Sequence, residues 1–222
     1  MNAIALIDKL GGLGTNGKLL YSVPNDMRFF KEMTTGKVIV VGKKTFLGFP
    51  GSEPLPNRTN IVLTSDKTFS KPGVEVAHDM VELESILSRY NGDDIFIAGG
   101  RTVYEKLIDK CDKLYINRIV ASDYDEDEID TFFPTYYIGA YTDRRNRMSD
   151  QLRYIETKKF HHAGEPARDW IIIGKKVDVV DYTVLKTGEK KKATLEYFTF
   201  GKIDLLADGL KEGLKPGLRP AT

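Results

Sequence analysis

The chain has 222 residues, 41% of them apolar; at about 150 residues per domain this is one large domain or one domain with an appendage, and a wholly disordered chain is excluded. Thirty-three Lys and Arg against 32 Asp and Glu leave a formal charge of +1, so no bulk charge draws nucleic acid or an anionic membrane, and partners have to be argued from sites. The single cysteine, Cys111, rules out an internal disulfide and a Cys-based zinc site and fits a reducing compartment.

The N-terminal MNAIALIDKL lacks the charged-then-apolar layout of a signal peptide, and the longest apolar runs are strand-length. A cytoplasmic protein is expected. Strand-like runs recur at 3–8, 38–41, 60–64, 74–77, 94–98 and 114–120, with helix-period segments between several of them. This alternation predicts an α/β fold, a mostly parallel central sheet with helices on both faces. Three helices have a local reason. In 25–33, a 100° step puts Asp26, Met27, Phe30 and Met33 on one face and Arg28, Lys31 and Glu32 on the other. In 79–89, Asp79 and Glu82 have capping-box spacing ahead of Val81, Leu83 and Ile86. In 101–111, Val103, Tyr104, Leu107, Ile108 and Cys111 form one apolar face, which reads Cys111 as a small buried hydrophobe. After residue 134 the texture turns polar, until DVVDYTVLKTGEKKKATLEYFTFGK reads as a closing antiparallel hairpin around a Gly-Glu-Lys turn. The repeat GLKE-GLKP-GLRP at 209–220 is too rich in Gly and Pro for a helix and is expected to form a loose tail.

Four segments carry chemistry. Asp26, in VPNDMRFF, is either a residue that caps its own helix or a carboxylate on an apolar stripe, able to hold an N–H-rich heterocycle with its pKa raised by desolvation. AGGRTVYEKL at 98–107 puts a Gly-Gly pair between a strand and a helix; it lacks GxGxxG spacing and is either a tight turn or a place where a diphosphate meets backbone N–H groups. VGKKTF at 41–46 and TSD at 64–66 add Lys43, Lys44 and hydroxyls at strand carboxyl ends, where open α/β sheets bind ligands.

Taken in order, GLGTNGKLLY (12–21), VPNDMRFFKEMTTGK (23–37), VGKKTF (41–46), LPNRTNIVLTS (55–65), IAGGRTVYEKL (97–107), KLYINRI (113–119) and DTFFP (130–134) resemble the dihydrofolate reductase family through residue 134. The resemblance implies NADPH-dependent reduction of 7,8-dihydrofolate to 5,6,7,8-tetrahydrofolate by direct hydride transfer, serving one-carbon and thymidylate metabolism. Asp26 matches the active-site carboxylate that holds the pteridine. Ile4, Ala5, Met27, Phe30 and Phe49 fall where the family lines the folate pocket, and Arg58 matches the arginine that pairs with the glutamate tail. Lys44, Thr45, Gly99, Gly100, Arg101, Thr102, Val103 and Tyr104 fall at the cofactor, and Lys43, Thr64 and Ser65 where the adenosine 2′-phosphate is recognised, which favours NADPH over NADH. The glycine-bearing loop 12–21 corresponds to a mobile lid.

Two positions depart from the pattern: Tyr21 stands where the family usually has tryptophan and Asn117 where threonine supports the acid. Tyr21 is expected to hold the water that the indole N–H would, and Asn117 to accept the bond that threonine supports. The reductase-like domain is expected over 1–201, with 135–175 an insertion or extension, and the tail over 202–222, in a monomer or homodimer. No metal is expected, because DYDEDEID at 123–130 lacks EF-hand spacing and glycine and His161 and His162 are adjacent. Two alternatives are a pyrimidine reductase of riboflavin synthesis, which does not require VPND together with LPNR, and a non-catalytic nucleotide-binding scaffold.

Overall fold

Val38–Val41 are at most 3% exposed, as a strand covered on both faces must be. They belong to a nine-stranded sheet in a computed structural model that describes residues 1–134 and 168–204. The strands are β1 (Asn2–Asp8), β2 (Gly12–Thr15), β3 (Lys18–Leu19), β4 (Tyr21–Ser22), β5 (Val38–Gly42), β6 (Thr59–Leu63), β7 (Val74–Ala77), β8 (Ile95–Ile97), β9 (Lys113–Val120), β10 (Thr131–Phe132), β11 (Arg168–Val184) and β12 (Lys190–Asp204). The helices are α1 (Pro24–Thr34), α2 (Lys43–Leu47), α3 (Met80–Leu87) and α4 (Arg101–Leu107). The sheet order is β4-β11-β12-β9-β1-β8-β5-β6-β7. From β9 to β7 the pairings are parallel; β12, β11 and β4 add to it antiparallel. The expected α/β class and closing hairpin are both present.

Side-chain alternation sorts the layers. Ala3, Val38, Val40, Ile95 and Ile97 pack with Leu83 of α3 and with Val103 and Leu107 of α4. Ile4, Ile39 and Phe96 point the other way, against Phe29, Phe30 and Met33 of α1, and Val41 and Val62 meet Phe46 of α2. α3 starts as its sequence requires: Asp79 accepts the Glu82 N–H at 2.9 Å and Glu82 accepts the His78 N–H at 2.7 Å. Cys111 is fully buried.

Several boundaries differ from expectation. The helix of 101–111 ends at Leu107 and tightens into a 3₁₀ turn, Ile108–Lys110. Residues 168–175 belong to β11, so the part of the expected insertion that is described is a strand, while 135–167 lie outside the described residues. β12 runs to Asp204, past the expected start of the tail, and 205–222, with the GLK repeat, also lie outside them, as do His161 and His162. The hairpin turns over 185–189, with Gly188 at φ 75°, so it takes in Gly188 and Glu189 of the expected Gly-Glu-Lys, while Lys190 already begins β12.

The segment 12–21 is not an open loop. β2 and β3 form a hairpin whose turn, Asn16 and Gly17, takes positive φ at both positions. Gly14 lies so close to β3 that a Cβ there would stand 2.3 Å from the Lys18 carbonyl oxygen. β10 pairs with β2, and the Asn16 N–H donates to Asp130 at 2.6 Å. Two more acids of the run are structural ties: Asp123 pairs with Lys191 at 2.6 Å and Glu128 with Lys186 at 2.7 Å. No cluster with metal-ligand composition occurs among the described residues.

Candidate active site

Pro24 sets the first turn of α1, where its missing N–H costs nothing. Val23 precedes the helix and no side chain caps it, so Asp26 does not tie down its own helix end. Instead, Asp26 Oδ1 accepts from Asn117 Nδ2 on β9 at 2.7 Å. Asn117 thus donates to the acid, where the sequence reading had it accept.

The face that Asp26 opens is not quite the expected one. At 100° per residue, Phe29 lies about 60° to one side of Asp26 and Met27 about 100° to the other. Phe29 therefore joins Phe30 and Met33 against the sheet, whereas Met27 is 60% exposed, with its sulfur 4.0 Å from Ser22 Oγ. The wall is completed by Ile4, Ile39, Phe49, Leu55, Phe96 and Tyr115. Phe29 rests on Tyr197 with ring centroids 5.6 Å apart, and Phe96 stacks on Tyr115 at 6.0 Å. Ala5 points to the opposite face, into the cluster of Val38 and Val40.

Burial among these side chains pushes the Asp26 carboxyl up to about 6, against the opposing pull of the Asn117 N–H. Asn117 is itself 1% exposed, and its Oδ1 is buried without a donor.

At the other end of α1, Arg58 Nε donates to Thr34 Oγ1 at 2.8 Å, an Nη donates to the Pro56 carbonyl at 2.7 Å, and the guanidinium lies 5.9 Å from the centroid of the Phe30 ring. The loop bearing Arg58 is pinned by Asn60, whose amide exchanges hydrogen bonds with Leu55, both at 2.9 Å. Eight residues of helix put Asp26 and Thr34 about 12 Å apart along the α1 axis.

A second constellation gathers where β5 and β8 end. Gly99, at φ 123°, accepts the Gly42 N–H at 2.8 Å, and the Gly99–Gly100 peptide is cis. A Cβ on Gly100 would stand 3.2 Å from Thr45 Oγ1, so glycine keeps this cradle open. Gly100 precedes α4 with no side-chain cap, its carbonyl accepting from Val103 and Tyr104, and the Tyr104 hydroxyl donates to the Ile4 carbonyl at 2.7 Å. Thr45, Gly99, Gly100 and Tyr104 are thus brought together beside β1. Val103 is buried beneath them, and Arg101 and Thr102 are exposed on the first turn of α4. Farther along the strand ends, Lys43 pairs with Asp66 at 2.5 Å; Thr64 is partly buried, Ser65 exposed, and Lys44 is exposed with its charge acting on Asp130.

Tyr21 is placed differently from expectation. Its ring packs edge-on against Tyr124 and Tyr182, each at 5.4 Å, and the hydroxyl is buried without a partner. Burial, then the Asp8 and Asp123 carboxylates, raise its pKa. It belongs to the cluster of Leu20, Val23, Ile119 and Tyr182, because β4 lies against β11, and it makes no hydrogen bond to Asp26. The sequence reading missed Phe29, for which the same wheel held the signal, and Phe96, which alternates with Ile95 and Ile97 in DIFIA. Asp66 was read only as part of TSD.

A family model for dihydrofolate reductase matches residues 1–161. The chain belongs to the dihydrofolate reductase family. Among its relatives, dihydrofolate reductase of Staphylococcus aureus (strain Mu50) is 39% identical over 124 residues, 56% of this chain and 71% of that one. The Enterococcus faecium enzyme is 38% identical over 126 residues, 56% of this chain and 72% of that one. The structure of dihydrofolate reductase from Enterococcus faecalis, complexed with NADP(H) and RAB-propyl, superposes with a TM-score of 0.65 at 31% identity, covering 91% of this chain and 96% of that chain.

The position of Asp26 has a measurable cost. Its folded pKa, about 6, lies above the ordinary 3.8, so well below pH 4 both folded and unfolded chains are protonated and nothing is lost. Between about pH 4 and 6 the unfolded carboxyl ionises while the folded one keeps its proton, and above 6 the fold holds an ionised carboxylate at a cost of about 3 kcal/mol. Asp26→Asn should therefore be more stable than the parent at pH 7.5 by about that amount, and the gain should shrink as pH falls from 6 toward 4. Denaturant titrations at several pH values check this; a difference independent of pH contradicts it.

Proposed function

We propose that this protein reduces 7,8-dihydrofolate to 5,6,7,8-tetrahydrofolate with NADPH by direct hydride transfer, without metal or covalent intermediate, and so supports one-carbon and thymidylate metabolism. The observation that carries this reading is the Asp26 carboxylate, held by Asn117 and set in an aromatic wall on the same helix that reaches Arg58.

NADPH, when bound, would supply the hydride for C6 of the pterin, and the proton that completes the reduction at N5 would come from water. The chain's own groups position the partners. Ionised Asp26 accepts two N–H donors of the pterin, the ring nitrogen and the exocyclic amine, a charge-assisted pair that a low-polarity wall strengthens. Ile4, Phe30 and Phe49, with Phe29, hold the rings and exclude water. Ala5, on the opposite face of β1, and Met27, exposed beside Ser22, stand outside this wall. About 12 Å along α1, the N–H groups of Arg58 not given to Thr34 and Pro56 take the α-carboxylate of the glutamate tail.

The glycine cradle fits a dinucleotide, since a Cβ on Gly99 or Gly100 would press on Thr45 and one on Gly42 would meet Val103, so the three glycines leave the backbone open. Thr45, Gly99, Gly100 and the first turn of α4, Arg101 to Tyr104, would hold the diphosphate; Lys43, Lys44, Thr64 and Ser65 would hold the adenosine end. We assign the reductase to one domain that runs past the expected 201 to the end of β12 at Asp204, acting in the cytoplasm as a monomer or homodimer on a small-molecule substrate.

Dihydrofolate-dependent NADPH oxidation by the full chain tests the proposal, and absence of turnover sinks it. Asp26→Asn should lower kcat/KM at pH 7 by about a hundredfold or more while NADPH affinity stays nearly intact; unchanged turnover removes Asp26 from the mechanism. Arg58→Leu should weaken folate far more than a pterin without the glutamate tail, and equal losses would remove the carboxylate assignment.

A further inference from the structure

We infer that the small cavity between β1, β2 and β4 is a water site, in which one molecule joins the Asp8 carboxylate to the Tyr21 hydroxyl, and that the clasp so formed makes Asp8 a positioning residue for the glycine cradle. The positioning role rests on the coenzyme-binding reading above; the water site does not.

Asp8 ends β1 and Tyr21 opens β4, so the two flank the β2–β3 hairpin at its base. Both are 2% exposed. Asp8 Oδ1 accepts the N–H of Leu10 at 2.8 Å and that of Gly12 at 2.7 Å, while the Gly11 N–H donates to the Asp8 carbonyl at 3.1 Å in a turn that Gly11 completes at φ 85°. Burial pushes this carboxyl up, and the N–H groups of Gly12 and Leu10 and the charge of Lys9 pull it back. Across the hairpin base the Tyr21 hydroxyl is buried without a partner, which forfeits a hydrogen bond that water would give it.

Asp8 and Tyr21 line one cavity of about 10 Å³, which is room for about one water. Leu6, Leu13, Leu19 and Leu20 are among its other walls, so the side chains that can hold a polar guest are the carboxylate and the phenol. The phenol's proton points to Asp8 on electrostatic grounds. Of the two carboxylates that act on Tyr21, Asp8 acts more strongly than Asp123, and Asp123 already takes the Tyr182 hydroxyl at 2.7 Å and the Lys191 ammonium at 2.6 Å. A water that accepts from Tyr21 and donates to Asp8 satisfies both groups without moving either.

The clasp reaches the cradle through packed groups. The turn that Asp8 holds presents the Gly11 carbonyl to the Phe133 N–H at 2.9 Å, and Gly12 pairs with Phe132 of β10. The Phe133 ring, 1% exposed, lies 4.8 Å from that of Tyr104. The Tyr104 hydroxyl in turn binds the Ile4 carbonyl and stands 3.7 Å from where a Gly99 Cβ would be. Loss of the Asp8 bonds therefore frees the turn on which Phe133 and Tyr104 are seated.

A crystal structure of the full chain should show one ordered water within hydrogen-bonding distance of the Asp8 carboxylate and the Tyr21 hydroxyl, and Tyr21→Phe should lose it; a dry cavity, or a water that this variant keeps in place, overturns the site. Carboxyl-carbon NMR gives a second reading. Tyr21→Phe removes a donor chain from the ionised acid, so Asp8 should titrate at higher pH than in the parent, and an unmoved titration contradicts the bridge. For the positioning role, Asp8→Ala should weaken NADPH by about tenfold in isothermal titration, and Asp8→Asn, whose Oδ1 can still take both N–H groups, should recover most of the loss. Should Asp8→Ala not fold, Asp8→Ser takes its place, with a smaller loss expected. Parent-like affinity in the truncated variant, or no recovery in Asp8→Asn, removes the role. If the parent binds no NADPH, the coenzyme reading fails and the positioning role with it, while the water and the Asp8 titration still decide the site.

Discussion

The bond from the Asn117 amide to the Asp26 carboxylate joins the two halves of the site. It ties the first turn of α1 to the middle of β9, and it holds a charge where burial opposes one. An amide N–H can only donate, so Asn117 favours the ionised acid, while desolvation favours the neutral one. The balance falls at about 6. A carboxylate poised there is ionised at neutral pH yet needs partners, and a ring edge carrying N–H donors supplies them.

The sheet makes that bond possible. β9 runs parallel to β1 with Asn117 beside Leu6, and β12 lies on its other side with Tyr197 beside Asn117. Ile4 on β1 then presents its side chain to the aromatic wall and its carbonyl to Tyr104 of α4. One strand therefore touches the aromatic wall and the glycine cradle alike. α1 spans the other dimension, with Asp26 near one end and Thr34, holding Arg58, at the other. In the proposed reading the two ends of a folate would be referred to this single rigid element, which favours positioning over rearrangement.

Much of this was legible in the sequence because it rests on periodicity and on turn chemistry. The six parallel strands were marked by β-branched runs, α3 by its Asp79–Glu82 spacing, and the junctions at Gly42 and Gly99–Gly100 by glycines between a strand and a helix. The failures have physical causes. Phe29 and Met27 were exchanged because a residue 100° from Asp26 was counted on its face while one at 60° was not. Tyr21 was placed by likeness to a tryptophan position, but its surroundings, Tyr124 and Tyr182, come from segments about a hundred residues or more away that no local pattern predicts. The hairpin at 12–21 read as a loop because its strands are only four and two residues long. That Lys43 is paired to Asp66, 23 residues away, likewise follows from strand order rather than from either motif.

The account turns on the ionisation of one side chain, which carboxyl-carbon NMR can follow in the intact protein. Asp26 should titrate near 6 in the free protein, and bound folate, by donating two N–H groups to the carboxylate, should drive that titration to lower pH. A value near the ordinary 3.8 that folate leaves unmoved would contradict it.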